Sequence, residues 1–170
     1  MRADSVYLSL FLICLLLPLT AGRPQASEAQ GGRIVILANS VDLSLAGDFI
    51  EEFRGYGFDI LVVHPSGFTT QRVERMILIL GGPDAYEGVG GIVSSLLNSS
   101  MISEVRRPGA SFLVKLKDVW RDGQLVLIAM GSDRNMTRKA YEDGMEEILS
   151  ALAPPSVSYT HLTLPTTERV

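Results

Sequence analysis

Cysteine and histidine are nearly missing from this 170-residue sequence, and their scarcity removes whole classes of chemistry. The single cysteine, Cys14, lies inside an N-terminal apolar run. A chain that loses this run has no disulfide, no thiolate nucleophile and no cysteine-ligated metal. The histidines number only two, His64 and His161. Because zinc sites are built mainly from clustered histidine and cysteine, we predict no metal site, and we predict no cofactor.

Nucleotide-binding fingerprints and excess positive charge are also missing. The sequence contains neither GxGxxG nor GxxxxGK[ST]. Its formal net charge is −4 and its pI is about 5.2. Proteins that bind the phosphate backbone carry basic surfaces, so we predict that nucleic acid is not a partner.

The long apolar run at the start of the chain indicates export. Residues 6–19 are VYLSLFLICLLLPL, and small residues follow at 20–22. This is the layout of a secretory signal peptide, and the run is short for a bilayer span of ~20 residues. We predict that residues 1–29 are a signal peptide, cleaved after Gly22 or Ala29, or an uncleaved N-terminal anchor. The protein is then secreted or held at the cell surface, with membrane contact only through an uncleaved segment.

The C-terminal tail does not follow the pattern of the rest. Residues 157–166 are VSYTHLTLPT, which resembles a translated sequencing adapter. We predict that residues 156–170 are not native and exclude them, with His161, from reasoning about the fold. One domain of about 125 residues, 30–155, remains.

This central region alternates short apolar runs with amphipathic segments. Continuous runs such as 76–80, MILIL, are typical of strands buried on both faces of a parallel sheet. Asp122-Gly123 between two apolar runs predicts a hairpin. The expected architecture is a three-layer α/β/α sandwich with a mostly parallel sheet and one antiparallel hairpin. The predicted strands are 33–39, 58–63, 76–80, 112–120 and 124–130.

Amphipathic helices are predicted between these strands. Apolar residues recur at helical spacing over 45–53, 87–97 and 136–152, and Pro154-Pro155 ends the last helix. Residues 68–74 are too few for a full crossover helix and are interpreted as one turn or a loop. Asp42 is interpreted as a first-turn residue on a solvated helix face.

The candidate site lies where three strands end, because ligands of open parallel sheets bind beyond the carboxyl ends of the strands. Glycine lets backbone N–H groups approach a small anionic or glycan ligand, with Arg134 as the counter-charge. The alternative is purely structural: the glycines form tight turns, and Asp84 and Asp133 cap helices. Besides the loop Asn39-Ser40, the candidate binding residues are Gly81, Gly82, Asp84, Gly131, Ser132, Asp133 and Arg134.

No catalytic set can be assembled from the sequence. His64 follows a buried strand, and we interpret it as a strand-end histidine making one hydrogen bond rather than as a general base. Because no nucleophile–base pair can be named, we predict that the chain is not an enzyme, with a hydrolase as the third alternative. Two sequons make Asn98 and Asn135 candidate N-glycosylation sites on an exported chain.

Two segments carry a family resemblance. Residues 76–93, MILILGGPDAYEGVGGIV, and 117–144, KDVWRDGQLVLIAMGSDRNMTRKAYEDG, resemble archaeal cell-surface domains of the S-layer type, with a GGP turn and a later GSDR turn. The resemblance implies a non-catalytic, exported α/β domain whose partners are other envelope or surface-layer subunits. We therefore expect a role in envelope assembly or adhesion. The alternative is a secreted binding module for a small anionic or glycan ligand at the glycine-rich loops.

Overall fold

A five-stranded sheet forms the centre of the protein. The computed structural model describes residues 32–152. The strands are β1 (Arg33–Ala38), β2 (Asp59–Val63), β3 (Met76–Leu80), β4 (Ser111–Lys117) and β5 (Leu125–Gly131). Their order across the sheet is β2-β1-β3-β5-β4, and every neighbouring pair is parallel except the edge pair β4–β5.

Seven α-helices and one 3₁₀ turn connect the strands within the described residues. Helices α1 and α2 follow β1, the 3₁₀ turn and α3 follow β2, α4 and α5 follow β3, and α6 and α7 follow β5. Their bounds are α1 (Ser40–Leu45), α2 (Gly47–Gly55), the 3₁₀ turn (Pro65–Gly67), α3 (Phe68–Gln71), α4 (Val89–Leu96), α5 (Ser99–Val105), α6 (Arg134–Asp143) and α7 (Met145–Leu152).

Alternate residues of the central strands enter two separate cores. On one face, Ile34 and Leu78 pack with side chains of α1, α2, α6 and α7. On the other face, Val35 and Ile77 pack with side chains of α3, α4 and α5. Because side chains alternate across a strand, a strand buried on both faces must be apolar throughout. The predicted three-layer α/β fold with its single antiparallel pair is confirmed.

The predicted helices are present but divided. The segment after β1 breaks at Ala46 into α1 and α2, and the last helix breaks at Gly144 into α6 and α7. At position 144 a Cβ would lie 2.8 Å from the carbonyl oxygen of Ala140 and 2.8 Å from Cδ2 of Leu113. Glycine at this position lets the end of α6 approach β4 closely. An apolar stripe continues across such a break, which is why periodicity alone predicted one helix.

The region after β3 differs most from its prediction. The expected helix over 87–97 begins only at Val89, because Glu87 and Gly88 have φ values of +57° and +96°. Helix α5, capped by Asn98, was not predicted at all. The hairpin is confirmed, but residues 118–124 form a seven-residue connection instead of the predicted three-residue connection over 121–123. The brief helical segment over 68–71 agrees with the predicted single turn.

The predicted boundaries at residues 29 and 156 lie outside the described residues, as do the signal-type segment, Pro154-Pro155 and the adapter-like tail. No helix among residues 32–152 combines the length and apolar composition that a membrane-spanning helix needs.

Truncation of a side chain at the centre of the sheet tests the packing. Leu78 is fully buried, so Leu78→Ala should lower the free energy of unfolding by about 2–5 kcal/mol through lost burial and a residual cavity. Val73 is 59% exposed, and Val73→Ala serves as the control with an expected change within about 0.5 kcal/mol. Urea denaturation followed by circular dichroism measures both. Equal effects of the two variants would contradict this core.

Candidate functional site

The three predicted strand-end loops meet at the carboxyl edge of the sheet. From β1 the chain moves to β2 on one side and then to β3 on the other side of β1. A crevice opens where the connections diverge, and this is where open α/β sheets bind ligands. Since β5 lies beside β3, the loop that follows β5 reaches the same crevice.

A cleft of about 310 Å³ occupies this crevice. Its lining comes from the loops after β1, β3 and β5 and from the ends of α5 and α6. Six of the seven candidate residues line it: Gly82, Asp84, Gly131, Ser132, Asp133 and Arg134. The seventh, Gly81, is buried just behind the lining, and its N–H donates to the carbonyl oxygen of Ala129.

The glycines have structural roles. A Cβ on Gly82 would lie 2.7 Å from the carbonyl oxygen of Gly131, and a Cβ on Gly131 would lie 2.4 Å from Met136. Gly81 has a φ of +137°, which other residues rarely adopt. The tight-turn interpretation therefore accounts for these glycines, and the ligand interpretation must rest on side chains.

The charged residues at the rim of the cleft differ in their hydrogen-bond partners. Asp133 caps α6, accepting hydrogen bonds from two backbone N–H groups at 2.8 and 3.0 Å. Asp84 does not cap a helix, because its two carboxylate oxygens accept hydrogen bonds from Arg106 at 2.9 and 2.7 Å. This contact lowers the pKa of Asp84. Arg134 forms no ion pair with any carboxylate of residues 32–152. Its guanidinium is therefore free to act on a ligand.

Asn39 and Asp42 form the floor of the cleft. Asn39 caps α1, since its side-chain oxygen accepts the N–H of Asp42 at 2.8 Å. Its Nδ2 donates to Oδ2 of Asp42 at 2.6 Å. The Asp42 side chain is only 6% exposed, and burial raises its pKa against the opposing effects of Asn39 and Arg134. The interpretation of Asp42 as a solvated residue was wrong.

On the nearly buried residues of the lining, two side-chain polar atoms have no hydrogen-bond partner among the described residues. They are Oδ1 of Asp42 and the hydroxyl of Thr137, a residue that is only 2% exposed. Neither atom is sealed from solvent, because the only sealed and unpartnered side-chain atom in the described part of the chain is Nε of Arg72. Both residues line the cleft, so solvent reaches these two atoms from it.

A second cluster of polar side chains lies at the same edge, beyond the end of β2. The imidazole of His64 contacts Ser66 through Nδ1 at 3.0 Å and Glu87 through Nε2 at 3.0 Å. Glu87 also accepts hydrogen bonds from both the backbone N–H, at 2.8 Å, and the hydroxyl of Ser40. The expectation that His64 makes a single hydrogen bond was wrong.

Sequence reasoning found the loops of the site but missed several of its side chains. Arg106 lies at the end of the unpredicted helix α5, and Thr137 lies one turn inside α6. Tyr86 lines the cleft although it is 73% exposed. No local signal pointed to Arg106. Asn39 directly before a helix is a capping signal that could have identified the floor.

The remaining predicted residues are accessible. Asn98 and Asn135 are both exposed, so each sequon remains a candidate glycosylation site. No group of three or more histidine, cysteine, aspartate or glutamate residues suited to a metal ion occurs in residues 32–152.

Comparisons with protein-family models, curated proteins and solved structures find no match to this chain.

The buried carboxyl group gives a test by pH. A carboxyl group whose pKa is raised on folding binds protons more readily in the folded state, so stability falls as pH rises through its folded-state pKa. Asp42→Asn removes this penalty. We expect the free energy of unfolding of Asp42→Asn, relative to wild type, to increase from acidic to neutral pH. The exposed Asp48→Asn, on α2, controls for the general effect of losing a carboxylate; the same slope for both would contradict the burial of Asp42.

Proposed function

We propose that the chain is an extracytoplasmic binding domain whose cleft holds a small hydroxylated ligand, such as one sugar of a glycan. The observation that carries this proposal is the pair of open polar atoms on nearly buried residues, Oδ1 of Asp42 and the hydroxyl of Thr137. Solvent reaches both atoms from the cleft, so a ligand hydroxyl that displaces this solvent can form a hydrogen bond with each of them.

The charge of the cleft favours a sugar over a strongly anionic ligand. Three carboxylates line it, on Asp42, Asp84 and Asp133, against the two guanidiniums of Arg106 and Arg134. Arg106 is already paired with Asp84. A phosphate group would therefore meet one free guanidinium and a surplus of negative charge. Neutral hydroxyl groups can donate to the carboxylate and both accept from and donate to the threonine.

The rim supports the same ligand class. Tyr86 is 73% exposed at the edge of the cleft. Its ring offers an apolar face and its hydroxyl a polar tip. In this proposal the C–H face of a sugar packs on the ring and its hydroxyl groups bind at the floor. Ligand sites commonly combine apolar surface with a few convergent polar groups in this way.

Location outside the cytoplasm rests on the sequence. The apolar segment at 6–19 and the resemblance to archaeal surface-layer domains both favour export. The exposed sequon residues Asn98 and Asn135 are compatible with it.

Binding is tested by calorimetry and thermal shift on the full-length chain with a panel of monosaccharides and oligosaccharides. A ligand that binds only the folded state must raise the melting temperature. We expect Asp42→Asn and Thr137→Val each to weaken the binding of a positive sugar about tenfold, the equivalent of one lost hydrogen bond. Asp48→Asn, an exposed change of the same kind on α2, should leave the affinity unchanged.

The panel also includes inorganic phosphate and acetate. Stabilisation by these anions without any by sugars would favour the anionic alternative and contradict a glycan ligand. The absence of stabilisation by every compound would contradict a binding function for the cleft.

Assembly into an envelope layer is a second proposal, favoured by the edge of the sheet. Strand β2 is an edge strand with sequence DILVV, and its four apolar residues are only partly buried. Its only charged residue is Asp59, whereas the opposite edge strand β4 carries Lys115 and Lys117, which discourage pairing. An apolar edge can pair with a strand of another subunit.

Light scattering tests assembly. If the chain is a surface-layer subunit, we expect its measured molecular mass to increase with protein concentration, with or without calcium. A monomer at every concentration in both conditions would contradict assembly through β2 and leave the binding proposal unaffected.

A further inference from the structure

Three residues that do not line the cleft form a continuous hydrogen-bonded chain at the same edge of the sheet. The hydroxyl of Ser66 lies 3.0 Å from Nδ1 of His64, and Nε2 of His64 lies 3.0 Å from a carboxylate oxygen of Glu87. His64 and Ser66 are neighbours in the loop after β2, but Glu87 comes from the loop after β3. Serine, histidine and a carboxylate in this order are the parts of an activated nucleophile.

The chemistry of the three groups determines which atom carries each proton. Hydrogen bonds from Ser40 and His64 lower the pKa of Glu87, so its carboxylate is ionised at neutral pH and can only accept. Nε2 of His64 therefore carries the proton and donates it. In that tautomer the single lone pair of Nδ1 is shared, because it accepts both the hydroxyl proton of Ser66, at 3.0 Å, and the backbone N–H of Ser66, at 3.3 Å.

Glu87 is held in place by several hydrogen bonds and by an uncommon backbone conformation. Besides contacting His64, it accepts the backbone N–H and the hydroxyl of Ser40 at the start of α1. Its backbone has a φ of +57°, which is uncommon for residues other than glycine. Backbone strain of this kind costs of order 1–3 kcal/mol and is concentrated at functional sites. Local capping by His64 would not require this distant, strained partner.

Two backbone N–H groups next to the Ser66–His64–Glu87 hydrogen-bonded chain form no hydrogen bond with the described residues. Neither Glu87 nor Gly88 donates its N–H to any acceptor in the described part of the protein. They are consecutive and both have positive φ, in a turn where successive amides can form a concave anion site. Gly88 packs against Pro65, the residue before Ser66, at 3.6 Å from the position a Cβ would take. These amides are the candidate donors to an oxyanion.

We propose that Ser66 is the nucleophile of an esterase site that hydrolyses small, solvent-accessible carboxylic esters, with His64 as the general base and Glu87 as its positioning residue. Ser66 and His64 are both exposed, so a short acyl group reaches them without a deep pocket. This activity is independent of the ligand proposed for the cleft.

The reaction follows from the proton positions. Ser66 Oγ forms a bond to the acyl carbon while its proton moves to Nδ1 of His64, and the carbonyl oxygen becomes the oxyanion. The ester C–O bond then breaks, and the leaving alcohol takes the proton from His64. Water attacks the acyl-serine next, again giving its proton to His64. That proton returns to Ser66 Oγ as the carboxylic acid is released.

The test uses the full-length chain with p-nitrophenyl acetate as substrate and a fluorophosphonate probe, followed by peptide mass spectrometry. The expected result is probe attached at Ser66 and hydrolysis that Ser66→Ala reduces to the buffer rate. His64→Gln should lower kcat about 100-fold, the usual contribution of a general base. Glu87→Gln should lower kcat roughly tenfold or more and leave KM unchanged.

Thr69→Ala is the matched control, because Thr69 is an exposed hydroxyl residue three positions along and makes no side-chain hydrogen bond with the described residues. It should hydrolyse the ester as the wild type does. Labelling in the wild-type chain does not depend on whether a variant folds. Absence of label from Ser66, or hydrolysis equal in wild type and Ser66→Ala, would overturn the proposal.

Discussion

Burial of the three parallel strands β1, β3 and β5 on both faces is the constraint on which the rest of the structure depends. Such strands remove their backbone groups from water through ladder hydrogen bonds, and their side chains need helices on both sides. Each connection must then leave a strand at its carboxyl end and return over a face. The loops after all three strands therefore meet at one edge, and both candidate sites lie there.

The two sites differ in how water reaches them. The floor of the cleft is formed by nearly buried residues, and solvent reaches the open polar atoms of Asp42 and Thr137 from the cleft. The Ser66–His64–Glu87 hydrogen-bonded chain is exposed. Hydrogen bonds among residues that follow β1, β2 and β3 hold it in place, rather than burial. Tyr86 and Glu87 are adjacent, so one short turn contributes to both sites.

Much of the fold was predictable because it depends on short-range patterns. Runs such as MILIL are typical of strands buried on both faces, and the glycine turns after them marked the edge of the sheet. Prediction failed where the pattern continued through a break, as at Gly144, or where a short helix lacked a periodic stripe, as in α5. Six of seven candidate binding residues line the cleft because they lie at or just beyond the carboxyl ends of β3 and β5.

The sequence by itself determined the three-layer architecture, the sparse cysteine and histidine chemistry, and the edge at which ligands are expected. Tertiary structure alone decided which polar side chains carry the sites. Burial of Asp42, the Asp84–Arg106 pair and the approach of Glu87 to His64 all depend on residues that are far apart in the chain or on the depth of a cleft. Local sequence patterns do not predict such contacts, because they arise only when the packing of the sheet brings separate loops together.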